Sequence, residues 1–223
     1  MAITFPRQMP VGGVGSQSFD ILRVDYLSPQ VKGRVSGVTA GEPLWTMKLS
    51  IRDADEDETA AWEAFIDSLR GSQRSFLAGD LTRPYPKAYR EGFDGLTRAG
   101  GGPFNGTATS WSVNADRDLV TLNGLPAGFV FSIRDYVMWR WTNGGVQRRS
   151  LVRLIEPSVA NGSGVAQLSV EPPLPLLTPS TSVADLKEPQ CVMKQPPNEG
   201  QLGELDALHS AAGNVSGLQE LRE

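Results

Sequence analysis

Residues Leu44–Gly71, LWTMKLSIRDADEDETAAWEAFIDSLRG, decide the fold because a strand pattern gives way to a helix pattern within a few residues. In the first eight residues apolar and mostly polar side chains alternate, which is typical of a strand with one buried face. The second half repeats four apolar residues at helical spacing: Trp62, Phe65, Ile66 and Leu69. We therefore predict a strand over Leu44–Ile51, followed by an amphipathic helix that packs on the face of Trp45.

The acidic residues between strand and helix have a structural explanation. Asp55 and Glu58 have the spacing of a capping box, and acids in the first turn suit the helix dipole. Asp55 and its neighbours Asp53 and Asp57 also look like the start of a calcium loop. That loop needs Gly at its sixth position and Glu at its twelfth, where this chain has Glu58 and Ala64. We predict a helix start here and no metal site.

The remaining pattern predicts a protein made mainly of short strands. Before the helix, Phe19–Tyr26 and Val31–Val38 are strand candidates, and Ser75–Ala78 is one after it. Gly-rich residues 95–106 then mark a hinge or linker. Beyond it the pattern predicts six strands without a helix: Ala108–Val113, Leu119–Leu122, Phe129–Ile133, Tyr136–Trp141, Gln147–Ile155 and Val165–Val170. Their turn spacing favours a small barrel or sandwich.

The final strand pattern indicates how the parts are connected. Prolines between Pro172 and Pro179 end the β module, and Lys187–Lys194 reads as one more strand, which most simply rejoins the first sheet. The module is then an insertion. We expect four regions: an extended N-terminal arm, 1–18; a discontinuous first domain, 19–95 and 187–197; an inserted β domain, 104–178; and a flexible tail, 198–223. The predicted fold class is a β-sandwich with one prominent helix and an inserted β-barrel or sandwich.

Composition points away from several functional classes. The chain of 223 residues has 21 basic and 25 acidic residues, without the basic face of a nucleic-acid-binding protein. No secretory signal or membrane span is evident. The one histidine, His209, lies in the predicted tail, and Cys191 lies in a predicted strand. No spacing singles out a pair of acids for glycoside cleavage. We expect no catalytic residues, no cofactor and no enzyme activity, although a cell-wall hydrolase stays open as a third class.

The loop after Ser75–Ala78 is the first candidate contact site. Arg83, Pro84 and Tyr85 combine rigid backbone with side chains that are enriched in interface hot spots. A rigid surface turn with Tyr85 half packed is the alternative.

Two tryptophans form the second candidate site. Trp139 and Trp141 share one face of a predicted strand, where they either stack on sugar rings or fill the interior of a small barrel.

The order of these parts resembles a known family. The segments that carry the resemblance are VDYLSPQVKGRVSGV (24–38), PLWTMKLSI (43–51), AWEAFIDSLRG (61–71), QRSFLAGD (73–80), LTRPYP (81–86), GFVFSIRDYV (128–137), PSVANGSGVAQLSVEPPLP (157–175) and QCVMK (190–194). In this order they resemble a distal tail protein of long-tailed phages and prophages. The resemblance covers roughly residues 1–195 and contains no catalytic signature.

The resemblance implies a virion structural protein without enzyme activity. In that family a belt domain closes into a hexameric ring that joins the tail tube to the hub or baseplate and the fibres, and DNA passes through a central channel. Expected partners are other copies of the chain, a tail tube protein, a hub or baseplate protein, and a fibre or tape-measure protein. DNA passes without specific binding, no membrane is involved, and assembly takes place in the host cytoplasm.

The segment Val31–Val38 is expected to lie at an edge of the first sheet and to contact the next subunit. Its candidate interface residues are Val31, Arg34 and Val35. The alternative function is a carbohydrate-binding receptor-recognition module, in which Trp139 and Trp141 contact the glycan.

Overall fold

The computed structural model describes residues 3–29, 33, 35–197, 199–202 and 211–221. The described chain is mainly β with a single prominent helix, arranged as a β-sandwich plus helix, which confirms the predicted fold class. Two sheets carry most of the structure, and neither forms a closed barrel among the described residues.

The first sheet draws its strands from both ends of the chain. In spatial order they are Arg7–Gln8 (β1), Ser75–Ala78 (β6), Cys191–Lys194 (β15), Ala211–Gln219 (β17), Leu44–Ala54 (β5) and Val14–Leu22 (β2), with Gln201–Leu202 (β16) paired to β17. β15 pairs antiparallel with β6, with Cys191 opposite Ala78. The prediction that the strand at Cys191 rejoins the first sheet is confirmed, although the strand begins at Cys191 and not at Lys187.

The second sheet comes from the middle of the chain. In spatial order its strands are Val183–Asp185 (β14), Tyr136–Asn143 (β10), Val146–Leu154 (β11), Ala166–Glu171 (β13), Leu119–Asn123 (β8) and Ser110–Val113 (β7). Two further pairs complete the strands: Val130–Phe131 (β9) with Ser158–Val159 (β12), and Asp25–Pro29 (β3) with Val35–Thr39 (β4). We call the part of the chain built on the first sheet the first unit and the part built on the second sheet the second unit. Because β14 belongs to the second sheet, the second unit extends beyond the predicted boundary of the inserted domain at residue 178.

The helix forms as its sequence predicts. It spans Glu56–Leu69 (α1) and begins with a capping box in which Asp55 and Glu58 bond reciprocally. Trp62, Phe65 and Leu69 are fully buried, whereas Ile66 is only partly buried. They pack in one core with the inward residues of β5, so the predicted contact between helix and strand is confirmed.

Two terminal regions are more ordered than predicted. The arm expected over 1–18 contributes β1 and most of β2, and Met9 is buried in the first core. The tail expected over 198–223 contributes β17, which lies between β15 and β5 at the centre of the sheet. The predicted arm is extended but belongs to the first sheet, and the prediction of a flexible tail is wrong for β17, because neighbouring strands supply the pairing that the local sequence does not reveal. His209 lies outside the described residues.

The Gly-rich segment 95–106 is a packed loop and not a hinge. Thr97 and Pro103 form a β-bridge, and the Phe104 N–H donates to Leu96 O at 2.9 Å. Arg98 Nη1 donates to Thr107 O at 2.7 Å, while Phe104 is buried in the second core. These contacts hold the entrance to the second unit in place.

Candidate interaction surface

The β3–β4 hairpin is the most exposed apolar element of the described chain. The relative exposure of its large side chains is 66% for Tyr26, 71% for Leu27, 64% for Val35 and 66% for Val38. Every described residue between Leu22 and Glu42 whose side chain is placed is exposed. The hairpin therefore stands clear of both cores.

The register gives the hairpin two apolar faces. Tyr26 lies opposite Val38 on one face. Side chains alternate along a strand, so Leu27 and Val35 lie on the opposite face. An ideal Cβ on Gly37, which pairs with Leu27, would be 3.4 Å from Leu27 Cδ2. Both faces of the hairpin therefore expose apolar side chains to water.

The hairpin extends the ladder formed by β2 and β5. Those strands pair as far as Leu22 and Leu44, and the Ala40 N–H then donates to Val24 O at 2.8 Å. The two-stranded β3–β4 sheet follows directly. An isolated two-stranded hairpin is marginally stable in water, so this element gains stability when another surface covers it.

This arrangement corrects the predicted edge strand Val31–Val38. The strand is β4, it starts at Val35, and it pairs with β3 instead of lying at an edge of the first sheet. Val35 is exposed, as a contact residue must be, whereas Val31 and Arg34 lie outside the described residues.

Sequence reasoning did not single out Tyr26, Leu27 and Val38 as site residues. The signal was present in DYLSP, where two adjacent apolar residues point to opposite faces of one strand. A strand of this kind is either buried on both faces or covered by a partner.

The edges of the first sheet approach each other and form a second surface feature. Gln17 of β2 donates through Nε2 to Gly79 O at 2.7 Å and accepts from the Leu81 N–H at 2.8 Å. Beside this bridge lies an open groove of about 560 Å³, which we name the seam groove. Its apolar lining comes from Met9, Val11, Val14, Leu81, Pro84 and Pro189. Val11 is 61% exposed, so the groove presents apolar surface to its surroundings.

The Arg83–Pro86 loop contacts its own chain. Arg83 Nη1 donates to Ile133 O at 2.9 Å and lies 3.7 Å from Asp135 Oδ1. Pro84 O accepts from the Glu188 N–H at 2.7 Å, and the Tyr85 ring packs edge-on against Phe93. Arg83 and Tyr85 therefore join the two units within one chain, and both keep part of their side chain exposed, so their role as intersubunit residues stays a prediction. Pro84 is the exposed member and lines the seam groove.

Asp135 anchors this loop from inside the second unit. Its carboxylate accepts the Lys87 N–H at 2.9 Å and the Ser132 N–H at 2.7 Å. Burial raises the pKa of Asp135, while these hydrogen bonds and the Arg83 charge oppose that increase. The network is a structural connection between the loop and the strands that follow it.

The tryptophan pair does not form a glycan-stacking surface. Trp139 has no exposed area and packs edge-on against Trp111 inside the second core. Trp141 is half-buried against the same core. The prediction that Trp139 contacts a glycan is therefore wrong, because a ring without exposed surface cannot stack on a sugar. The alternative, that these residues fill the interior, agrees with the packing.

The remaining chemical features of the described residues are limited. They contain no cluster of three His, Cys, Asp or Glu that could hold a metal ion. Cys191 is buried without exposed area, and burial raises the pKa of its thiol well above the ordinary range. No helix in the described part of the chain has the length and hydropathy needed to cross a membrane.

Comparison with known proteins adds no assignment. No protein-family model matches the sequence. No curated protein matches it at a significant level.

Proposed function

We propose that the chain is a structural protein of a phage tail tip, present in the virion after assembly in the host cytoplasm. Six copies form a ring that joins the tail tube to the hub or baseplate and its fibres, and DNA passes through the central channel. The observation that carries this proposal is the β3–β4 hairpin, whose two apolar faces have no cover within the described chain. Apolar surface presented on a projecting element is typical of protein–protein contacts.

The topology supports an assembly protein of the resembling family. The chain enters the second sheet after the Arg83–Pro86 loop and returns to the first sheet at Cys191. The order of belt strand, helix, inserted unit and closing strand is the order that the resemblance requires. The hairpin gives such a unit a surface with which to contact neighbouring chains.

The polar outer face of the first sheet is consistent with the proposed DNA channel. On this face Ser50 of β5 pairs with Ser16 and Asn214, and Lys48 pairs with the exposed Ser18 on β2 and with the buried Ser216 on β17. Affinity for DNA depends on how many phosphates a protein neutralises with Lys and Arg. A face with small polar side chains and a single lysine at these positions suits a wall past which DNA moves without specific binding.

The first test measures the mass of the assembled protein. We expect the purified chain to form a ring-sized oligomer, alone or with its tail tube protein, in light scattering and in native mass spectrometry. The double variant Tyr26→Ser/Val38→Ser should be monomeric under the same conditions because it removes the apolar side chains of one hairpin face. A permanently monomeric wild-type chain under both conditions would contradict the proposal.

A matched control separates this effect from a general change in surface polarity. Leu176 is 78% exposed but lies on the loop before β14, far from the hairpin in sequence. Leu176→Ser should leave the oligomer mass unchanged. If Leu176→Ser and the hairpin variant lost assembly to the same extent, the hairpin would not be a specific contact between subunits.

A further inference from the structure

We propose that the β3–β4 hairpin of one copy docks into the seam groove of a second copy of the same chain. This inference rests on the proposed ring function and specifies its subunit contact. One side of the contact is an apolar element without cover, and the other is an apolar groove without an occupant.

The hairpin does not fill the groove of its own chain. The groove is lined by the first residues of β2, Val14 to Gln17, whereas the hairpin leaves the sheet after Leu22 at the other end of that strand. At about 3.3 Å per residue, five residues separate these points by about 16 Å. A hairpin folded back over that distance would be covered by the sheet, but its described side chains are exposed. A hairpin that enters this groove therefore comes from another copy of the chain.

The chemistry of the groove matches the hairpin. Val11, Val14 and Leu81 supply the apolar walls. Two of the polar residues beside them are engaged within the chain: Gln17 bridges Gly79 and Leu81, and Asp80 accepts from the hydroxyls of Thr82 and Tyr136. The exposed lining of the groove is more apolar than polar, and each hairpin face presents apolar side chains. Burial of such area is the main driving force for association.

The two surfaces are different parts of the chain, so the contact is heterologous. Each copy offers one hairpin and one groove, and repetition of such a contact closes a ring when the rotation permits. A contact between the same faces of two hairpins would be isologous and would stop at a pair. The hairpin–groove contact is heterologous and therefore fits a ring.

Engineered cysteines test this contact directly. Cys191 has no exposed area, so a newly placed surface cysteine is the preferred target of a short bis-maleimide cross-linker. We make Leu27→Cys and Val38→Cys on the two hairpin faces and Val11→Cys in the groove. Each hairpin variant is mixed with the groove variant at the concentration where the wild type assembles. Wild-type protein with cross-linker is the control for Cys191.

The expected result is a covalent dimer in at least one mixture of hairpin and groove variants, and none with any variant alone or with the wild type. Peptide mass spectrometry should locate the link between residue 11 and residue 27 or 38. A dimer formed by a hairpin variant alone overturns the proposal, because it shows hairpin-to-hairpin contact. A link formed by Val11→Cys alone also overturns it, because grooves would then face each other.

Failure of this inference is distinguishable from failure of the proposed function. A wild type that assembles into a ring while both mixtures give no cross-linked dimer overturns the hairpin–groove contact and leaves the ring function standing. A wild type that never self-associates, alone or with tail tube protein, overturns both.

Discussion

At the scale of single residues, Gln17 connects two segments that the sheet hydrogen bonds do not join. Its one amide group bonds both Gly79 O and the Leu81 N–H, across the approach between β2 and the chain after β6. Sequence patterns cannot reveal this role, because glutamine in a strand is ordinarily a solvent-facing residue. The partners lie 62 and 64 residues away in the chain.

We expect Gln17→Ala to lower the free energy of unfolding by about 1–2 kcal/mol, because it removes two hydrogen bonds at a partly buried position. Urea denaturation followed by tryptophan fluorescence measures the effect. Ser18→Ala, at the exposed neighbouring position, should change stability by less than about 0.5 kcal/mol. Equal effects of the two substitutions would show that the bridge contributes nothing.

Gly217 shows why the local sequence did not predict strand β17. Glycines at positions 213 and 217 argue against a stable helix when only the local sequence is considered, and this favoured a flexible tail. In the fold, an ideal Cβ on Gly217 would lie 2.8 Å from Met193 Sδ and 2.9 Å from Phe76 Cζ. The glycine is required by the packing of β17 beside β15, and only the tertiary structure reveals this.

At the scale of elements, α1 was predictable and β17 was not. The helix has its capping box, its acidic first turn and its apolar face within one continuous stretch, so local physics defines it. β17 reads AAGNVSGLQ, with few β-branched residues, and its strand character depends on pairing with β5 and β15. The hairpin lies between these cases, since β4 overlaps the predicted strand Val31–Val38, whereas β3 and the separation of the hairpin from the first sheet were not predicted.

The position of β17 leads to a prediction about two adjacent residues. Val215 is fully buried and pairs with Leu49, whereas Asn214 is exposed and pairs with Ser50. Val215→Ala should cost about 2 kcal/mol of unfolding free energy, from lost apolar burial and the cavity that remains. Asn214→Ala should stay within about 0.5 kcal/mol of the wild type.

Urea denaturation of both variants checks this difference. If Val215→Ala left the free energy of unfolding unchanged, β17 would not be part of the stable sheet. The sequence-based prediction of a flexible tail would then be correct.

At the scale of the whole molecule, the two sheets do not form independent bodies. Tyr136, Met138 and Leu151 of the second sheet belong to the same core as Trp45 and Phe19. Trp45 Nε1 donates to Leu151 O at 2.8 Å across this junction. The sequence indicated an insertion but could not show that β10 is buried on both faces, one toward each core.

We therefore expect a single cooperative thermal transition in calorimetry, with equal van't Hoff and calorimetric enthalpies. Trp45→Phe removes the hydrogen bond to Leu151 and should lower the temperature of that one transition by about 2–8 °C, from a loss of about 1–2 kcal/mol. Trp62→Phe, which loses the bond to Gly12 O within the first unit, should shift the same transition. Two separate transitions, with only one of them moved by Trp62→Phe, would contradict a shared core.

The central place of β17 in the first sheet also constrains how the protein folds during synthesis. The ribosome makes Leu44–Ala54 and Cys191–Lys194 before it makes the strand that lies between them. Until residues 211–219 leave the exit tunnel, the facing edges of these two strands lack their partner. The first sheet is therefore completed only after these residues emerge, and nascent chains are prone to pair with one another through those open edges until that moment.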